Sequence, residues 1–249
     1  MFALDDNADA RAQLAVGESR FQAHYDKLPP APFDRIQARI RWLNLESLVL
    51  FEMHDWAELG RVARATLAAI DDGLGQRAGD SELILRRAVA QTFLGRALLR
   101  QTNAPEAVSV LEQAVTGYRE TPPVIAFKDD RELYSSVAAT DLAEALTQTG
   151  SRERARSLME SVLARWELTL AHQPENWGIK EGVAGSLVLL AGLLDPTNAE
   201  DAARRQSLLD RAAAILNSPE AQNRLSVNDK EVMAKMNSLR AAAPAKTNQ

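Results

Sequence analysis

The sequence predicts an all-α chain, an α-solenoid of antiparallel helical hairpins with a period of about 48 residues. Three observations carry that expectation. Ala and Leu dominate a composition that is 46% hydrophobic and only 5% aromatic, which favours helix over strand. Asp55, Asn103 and Ser151, all good helix N-cap residues, stand 48 residues apart. The same spacing picks out the small residues Ser47, Gly95, Ala143 and Ala191, each beside a leucine, and the leucines Leu50, Leu98, Leu146 and Leu194.

At 249 residues the chain is long enough for one extended domain or two small ones, with ample apolar residues for a core. A net charge of −5, from 29 basic and 34 acidic residues, gives no general attraction for nucleic acid or anionic lipid. With no cysteine, disulfides and thiolate metal sites are excluded, and neither a reducing nor an oxidising compartment is ruled out. The opening MFALDDNADARAQL has neither a basic leader nor a signal-length apolar run. The longest apolar stretch, SLVLLAGLL at 186–194, is too short to span a bilayer. A soluble, cytoplasmic protein without membrane insertion is expected, or a periplasmic one if the sequence is a segment of a membrane-anchored parent.

The elements follow in order. Extending the cap series backwards reaches Asn7, and forwards it passes one residue beyond Asn198. Residues 1–31 therefore hold a single helix, in the place of a second helix with no first helix before it. It is either an N-terminal cap or the start of a segment from a longer protein. Residues 32–217 hold four hairpins, at 33–70, 81–119, 130–172 and 177–217, separated by the hinges DDGLGQRAGD, ETPPVIAFKDD and HQPENWG. In residues 218–249, Asn228 with Glu231 is expected to start a capping helix that ends before a structureless AAAPAKTNQ tail. Asp55 with Glu58, and Asn103 with Glu106, have capping-box-like spacing, whereas Ser151 has Arg154 in the partner position. Gly95 and Ala143 are expected at helix crossings where leucine overpacks, while alanine at position 95 is tolerated for its helix propensity.

The runs FLGRALLRQTNAPEAVSVLEQAV and DLAEALTQTGSRERARSLMESVL resemble tetratricopeptide (TPR) repeats. Leu94, Gly95, Leu98, Ala107, Leu111 and Ala114 match the family's spacing, as do Leu142, Ala143, Leu146, Gly150, Ala155, Met159 and Val162. The repeats around 42–66 and 183–216 are degenerate, with Leu59 in place of a small residue and Gln206 in place of an apolar one. The resemblance spans 32–217. It implies a right-handed superhelix, of a degenerate type whose helices are longer than the family's.

It also implies a concave face lined by the first helix of each hairpin, at fixed offsets from the small crossing residue. Those offsets select Arg41, Asn44, Leu48, Phe51 and Glu52; then Val89, Thr92, Arg96, Leu99 and Arg100; then Val137, Thr140, Glu144, Thr147 and Gln148; and the nearly bare Gly185, Val188 and Gly192. Arg41, Asn44, Thr92, Arg96, Arg100, Thr140, Glu144 and Gln148 form the candidate peptide-binding groove. Its arginines suit a carboxylate or an extended backbone. The bland alternative is a set of solvated helix faces. The family's carboxylate clamp of lysines and asparagines is not reproduced.

No catalytic, metal or cofactor set is read from the sequence. His24, His54 and His172 lack partners at helical metal-site spacing, and the glycines of DDGLGQRAGD sit among acids that repel an anion. The tryptophans at 56, 166 and 177 are read as core or hinge residues. The leading expectation is a non-enzymatic scaffold that binds a peptide segment of a partner protein. The alternative is the sensory or regulatory C-terminal portion of a larger bacterial signalling protein, a kinase or transcription regulator, and an α/α enzyme is a weaker third. Oligomeric state is not legible.

Overall fold

A computed structural model describes residues 7–27, 32–121 and 128–242. Every regular element among them is helical: α1 (Asn7–Tyr25), α2 (Pro32–Glu52), α3 (Trp56–Gln76), α4 (Ser81–Arg100), α5 (Ala104–Glu120), α6 (Lys128–Gln148), α7 (Arg152–His172), α8 (Trp177–Leu193), α9 (Ala199–Leu216), a single 3-10 turn (Ala221–Asn223) and α10 (Val227–Ala241). The all-α fold of successive helices packed on their neighbours is the one the sequence predicts. Residues 122–127 of one expected hinge, and the expected tail from residue 243 on, lie outside the described residues.

The chain forms two compact units, Met1–Ala145 and Leu146–Gln249, so the division falls inside α6. In the first unit the core is built from Ile40, Leu59, Ile70, Leu83, Leu111 and Tyr118, all essentially inaccessible to solvent. In the second, Met159, Leu187, Leu190, Leu209 and Leu216 play that part, and Met236 of α10 is buried as well. The small residues Ser47, Ala143 and Ala191 are buried as their place on the 48-residue spacing requires.

That spacing has a physical origin in the hairpin turns. His54, Thr102 and Gly150, again 48 residues apart, all adopt the left-handed conformation, with φ of 56°, 63° and 82°. Each closes its helix with the same pair of hydrogen bonds. The N–H of the left-handed residue donates three residues back: His54 to Phe51, Thr102 to Leu99 and Gly150 to Thr147. The N–H of the next residue donates five back: Asp55 to Leu50 at 3.0 Å, Asn103 to Leu98 at 2.9 Å and Ser151 to Leu146 at 2.7 Å. This is the Schellman arrangement, and its last residue is also the N-cap of the following helix. One residue finishes one helix and starts the next, which fixes the turn length.

The same economy defeats the expected capping boxes. The backbone N–H groups of Asp55 and Asn103 are already bonded to Leu50 and Leu98, so neither Glu58 nor Glu106 has a donor to satisfy. Glu58 pairs instead with Arg61, and Glu106 accepts from the Asn103 side-chain amide at 2.6 Å. Among the described residues the one full capping box is Ser226 with Asp229, two residues ahead of the predicted start at Asn228. In the fourth turn, Pro196 disfavours helix at Asp195. There α8 stops at Leu193, and the Asp195 carboxylate accepts from the N–H and hydroxyl of Thr197. The turn is built differently, hence the one-residue slip to the Asn198 cap.

Gly95 crosses α5 more closely than expected. A Cβ there would lie 2.4 Å from Leu111 Cγ and 2.5 Å from Cδ2, so even a methyl does not fit and the predicted tolerance of alanine fails. Within each unit, arginine–carboxylate pairs tie residues one repeat apart: Arg11 to Asp55, Arg64 to Glu106, and Arg156 to Asp201.

Candidate peptide-binding face

The predicted groove residues have different fates. Arg41 is exposed on α2, and Asn44 is half-buried beside it. Thr92 is taken into the first unit's interior: it is 4% exposed, its hydroxyl donates to the Ala88 carbonyl at 2.8 Å, and it lies 3.2 Å from the Tyr118 hydroxyl. Burial pushes the Tyr118 phenol well above its ordinary range, and the Thr92 hydrogen bond offsets this only in part. Thr140 donates to the Ser136 carbonyl one turn back at 2.9 Å, the ordinary habit of threonine within a helix. Gln148 is exposed at the end of α6 and belongs to the second unit.

Arg96 and Arg100 are engaged within the first unit. Arg96 donates from Nε and one terminal nitrogen to both carboxylate oxygens of Asp141, at 2.7 and 2.6 Å, and its guanidinium lies 5.1 Å from the Phe51 ring centre. The Asp141 side chain is only 3% exposed. Burial pushes its carboxyl above the usual range against the opposing pull of Arg96 and Arg100. Such a pair fixes register more than it adds net stability, but removing one partner strands the other. Arg100 lies 3.6 Å from Glu144 and 6.0 Å from the Trp56 ring centre. Sequence reading missed Asp141 because it sought outward positions, whereas Asp141 points to the preceding first helix, 45 residues back.

What the first unit does offer is a cleft of about 180 Å³ between α2, α4 and α6. Leu48, Leu85, Val89, Phe93 and Tyr134 supply its apolar walls. The Glu82–Arg86 ion pair and Arg131, which donates to the Tyr118 carbonyl, stand at its edge. Phe51, Phe93 and Tyr134 form an aromatic series at centroid separations of 6.2 and 6.4 Å. Asn44 also lines the cleft, and its buried Oδ1 accepts no hydrogen bond among the described residues. Asn44, Leu48 and Val89 were read from the sequence. Phe93 and Tyr134 were not, although aromatics on successive first helices were a visible signal.

Among the described residues, no group of three or more His, Asp or Glu side chains could hold a metal ion, and no helix is long and apolar enough to cross a membrane. His54 stacks on Trp56. Trp166 is buried against Gly182, and the Trp177 indole donates to Glu181.

Residues 137–175, the later part of α6 with all of α7, match the family model for the tetratricopeptide repeat. No curated protein matches the chain in sequence. A crystal structure of the nearly identical TPR-like repeats of a Podospora anserina kinesin light chain is similar over 86% of this chain and 98% of that one, at 17% identity and a TM-score of 0.45. The family match over residues 137–175 and the run of helical hairpins make the fold TPR-like. Folds of this class serve in general as non-enzymatic protein-interaction modules.

Proposed function

We propose that the protein binds a peptide segment of a partner protein on the face where α2, α4 and α6 meet, with no catalytic step. The observation that carries this reading is the cleft itself. It has the apolar walls to take one large side chain, beside a buried carboxamide oxygen that lacks a donor. A backbone N–H of an extended peptide would satisfy Asn44 Oδ1 while its side chain entered between Leu48, Val89 and Phe93. Specificity then comes from the cleft more than from Arg96 and Arg100, whose charges are met within the unit.

Selection from a phage-displayed peptide library tests this. Peptides enriched on the wild type should carry a large apolar residue. They should lose about tenfold or more in affinity on Leu48→Glu, as expected for loss of one buried apolar contact. Asn44→Leu should weaken them as well. Enrichment indifferent to both substitutions would refute the assignment.

A further inference from the structure

Besides Phe93, whose ring meets Phe51 and Tyr134, Arg96 bridges the three helices that form the cleft. From α4 it holds both carboxylate oxygens of Asp141 on α6, and its guanidinium faces the Phe51 ring of α2 at 5.1 Å. Its contacts stand just beyond the cleft walls. Phe51 follows Leu48 by three residues and Arg96 follows Phe93 by three, a rise of about 4.5 Å on the same helix face. Asp141 follows Tyr134 by seven, two turns along α6.

What else sets the gap between these helices is not directional. The first helices lean chiefly on second helices, α2 on α3 and α4 on α3 and α5. Toward α6 the shared core is built largely from alanines, Ala88, Ala114 and Ala138 around Tyr118. Apolar contact of this kind has no preferred angle, and ring pairs accept tilted and edge-on arrangements over a range of separations. The Arg96 fork does not slide: two parallel N–H to O bonds fix distance and angle together. With the Arg96 side chain 15% exposed and that of Asp141 3%, water cannot easily take either place. One turn on, Arg100 repeats the pattern with Trp56 and Glu144, but at 3.6 Å and with side chains 35% and 25% exposed, where solvent screens the pair.

We infer that Arg96 is the positioning residue of the cleft, a role that rests on the cleft being a peptide site. By holding Asp141 and facing Phe51 it fixes the separation of α2, α4 and α6, and so makes the cleft selective for the size of the side chain it takes. Arg96 is not among the residues that line the cleft, so it acts on selectivity without a contact of its own to the peptide. Apolar side chains of similar volume in place of the pair keep the stability, because packing preserves stability after a unique geometry is lost. Without the fork the cleft accommodates side chains of several sizes, as adaptable binding surfaces do.

The probe is a fluorescein-labelled synthetic copy of the peptide most enriched by phage selection on the wild type, with its large apolar residue varied among Val, Leu, Phe and Trp. Fluorescence anisotropy with the full chain should separate the tightest of the four from the weakest by about tenfold or more. In the paired variant Arg96→Met with Asp141→Leu that spread should shrink to about threefold or less, at a melting temperature near that of the wild type. Arg96→Lys keeps the charge but not the fork, so its spread should fall between the two. Glu144→Gln should leave the spread unchanged. A spread as wide in the paired variant as in the wild type overturns the inference, and so does equal narrowing by Glu144→Gln. If the paired variant does not fold, Arg96→Lys decides, and an unchanged spread there overturns the inference. Leu48→Glu tells this failure from that of the cleft reading. Where it still weakens the peptide about tenfold or more, the cleft stands and only the role of Arg96 falls. Where wild-type binding ignores Leu48→Glu, the peptide sits elsewhere and both fall.

Discussion

Replacing Gly95 by alanine is the most direct probe of how α4 and α5 meet. In an open helix the change stabilises, because alanine is favoured over glycine by up to about 1 kcal/mol. Here the new Cβ lies 2.4 Å from Leu111 Cγ, a branching atom rather than the free end of a flexible chain, and 3.1 Å from Cδ1. Leu111 is wholly buried, so it can yield only by pushing on its own neighbours. Overpacking of this kind costs about 1–3 kcal/mol, which the propensity gain reduces to a net loss of about 1–2 kcal/mol. Urea unfolding followed by far-UV circular dichroism measures it. A second arm separates overpacking from any other defect. Leu111→Ala alone should cost about 2–5 kcal/mol through the cavity it leaves. In the double variant the alanine methyl at 95 faces that space, so the double variant should be more stable than the sum of the singles by about 1 kcal/mol. A Gly95→Ala protein as stable as the wild type, or strictly additive losses, would refute the crossing geometry.

Thr102 holds a left-handed conformation that β-branched residues avoid. Thr102→Gly should therefore stabilise by a few tenths to about 1 kcal/mol, and Gly150→Ala should destabilise by about 1 kcal/mol in the same urea assay. Arg96→Glu places a second carboxylate against buried Asp141 and should cost about 3–5 kcal/mol, whereas the paired change Arg96→Met with Asp141→Leu should restore most of the loss. Burial raises the Tyr118 ionisation above its unfolded value, so stability from this group is full below about pH 10 and is lost as pH climbs past it, because only the unfolded chain releases the proton. Tyr118→Phe should flatten that alkaline fall in melting temperature, and an unchanged slope would count against the buried phenol.

The hairpins were legible because their turns are local chemistry. Asp55, Asn103 and Ser151 each close one helix five positions back and open the next, and three Asx or Ser residues at equal intervals announced the period, although only the Asp55 side chain accepts a capping hydrogen bond. Gly150 beside Ser151 was part of the same signal, but its equivalents His54 and Thr102 carry no glycine and hid it. The final helix was placed two residues late because Asn228–Glu231 and Ser226–Asp229 share one spacing, and sequence alone does not rank them. The site was read less completely for a different reason. Offsets along one helix identify side chains that leave the helix in a given direction. They do not say whether the next helix stands in that direction. Thr92 points inward to Tyr118 and Arg96 sideways to Asp141, partners 26 and 45 residues away that no local pattern reveals. The cleft likewise depends on three first helices at once, and only its Asn44, Leu48 and Val89 wall followed from a single-helix reading.

The first-helix contacts of the first unit have one further implication, for the order of the repeats. At one register position the junction of α2 with α4 is apolar, Leu48 with Phe93, and the junction of α4 with α6 is ionic, Arg96 with Asp141. Interchanging the hairpins that begin with α2 and α4 would bring Asp141 against Leu48 and leave Arg96 facing Leu45. The first helices α2, α4 and α6 thus carry keys for their own neighbours in the first unit and fit poorly in another order. A chain made by duplicating one unit has in this way become a fixed word rather than a string of interchangeable letters.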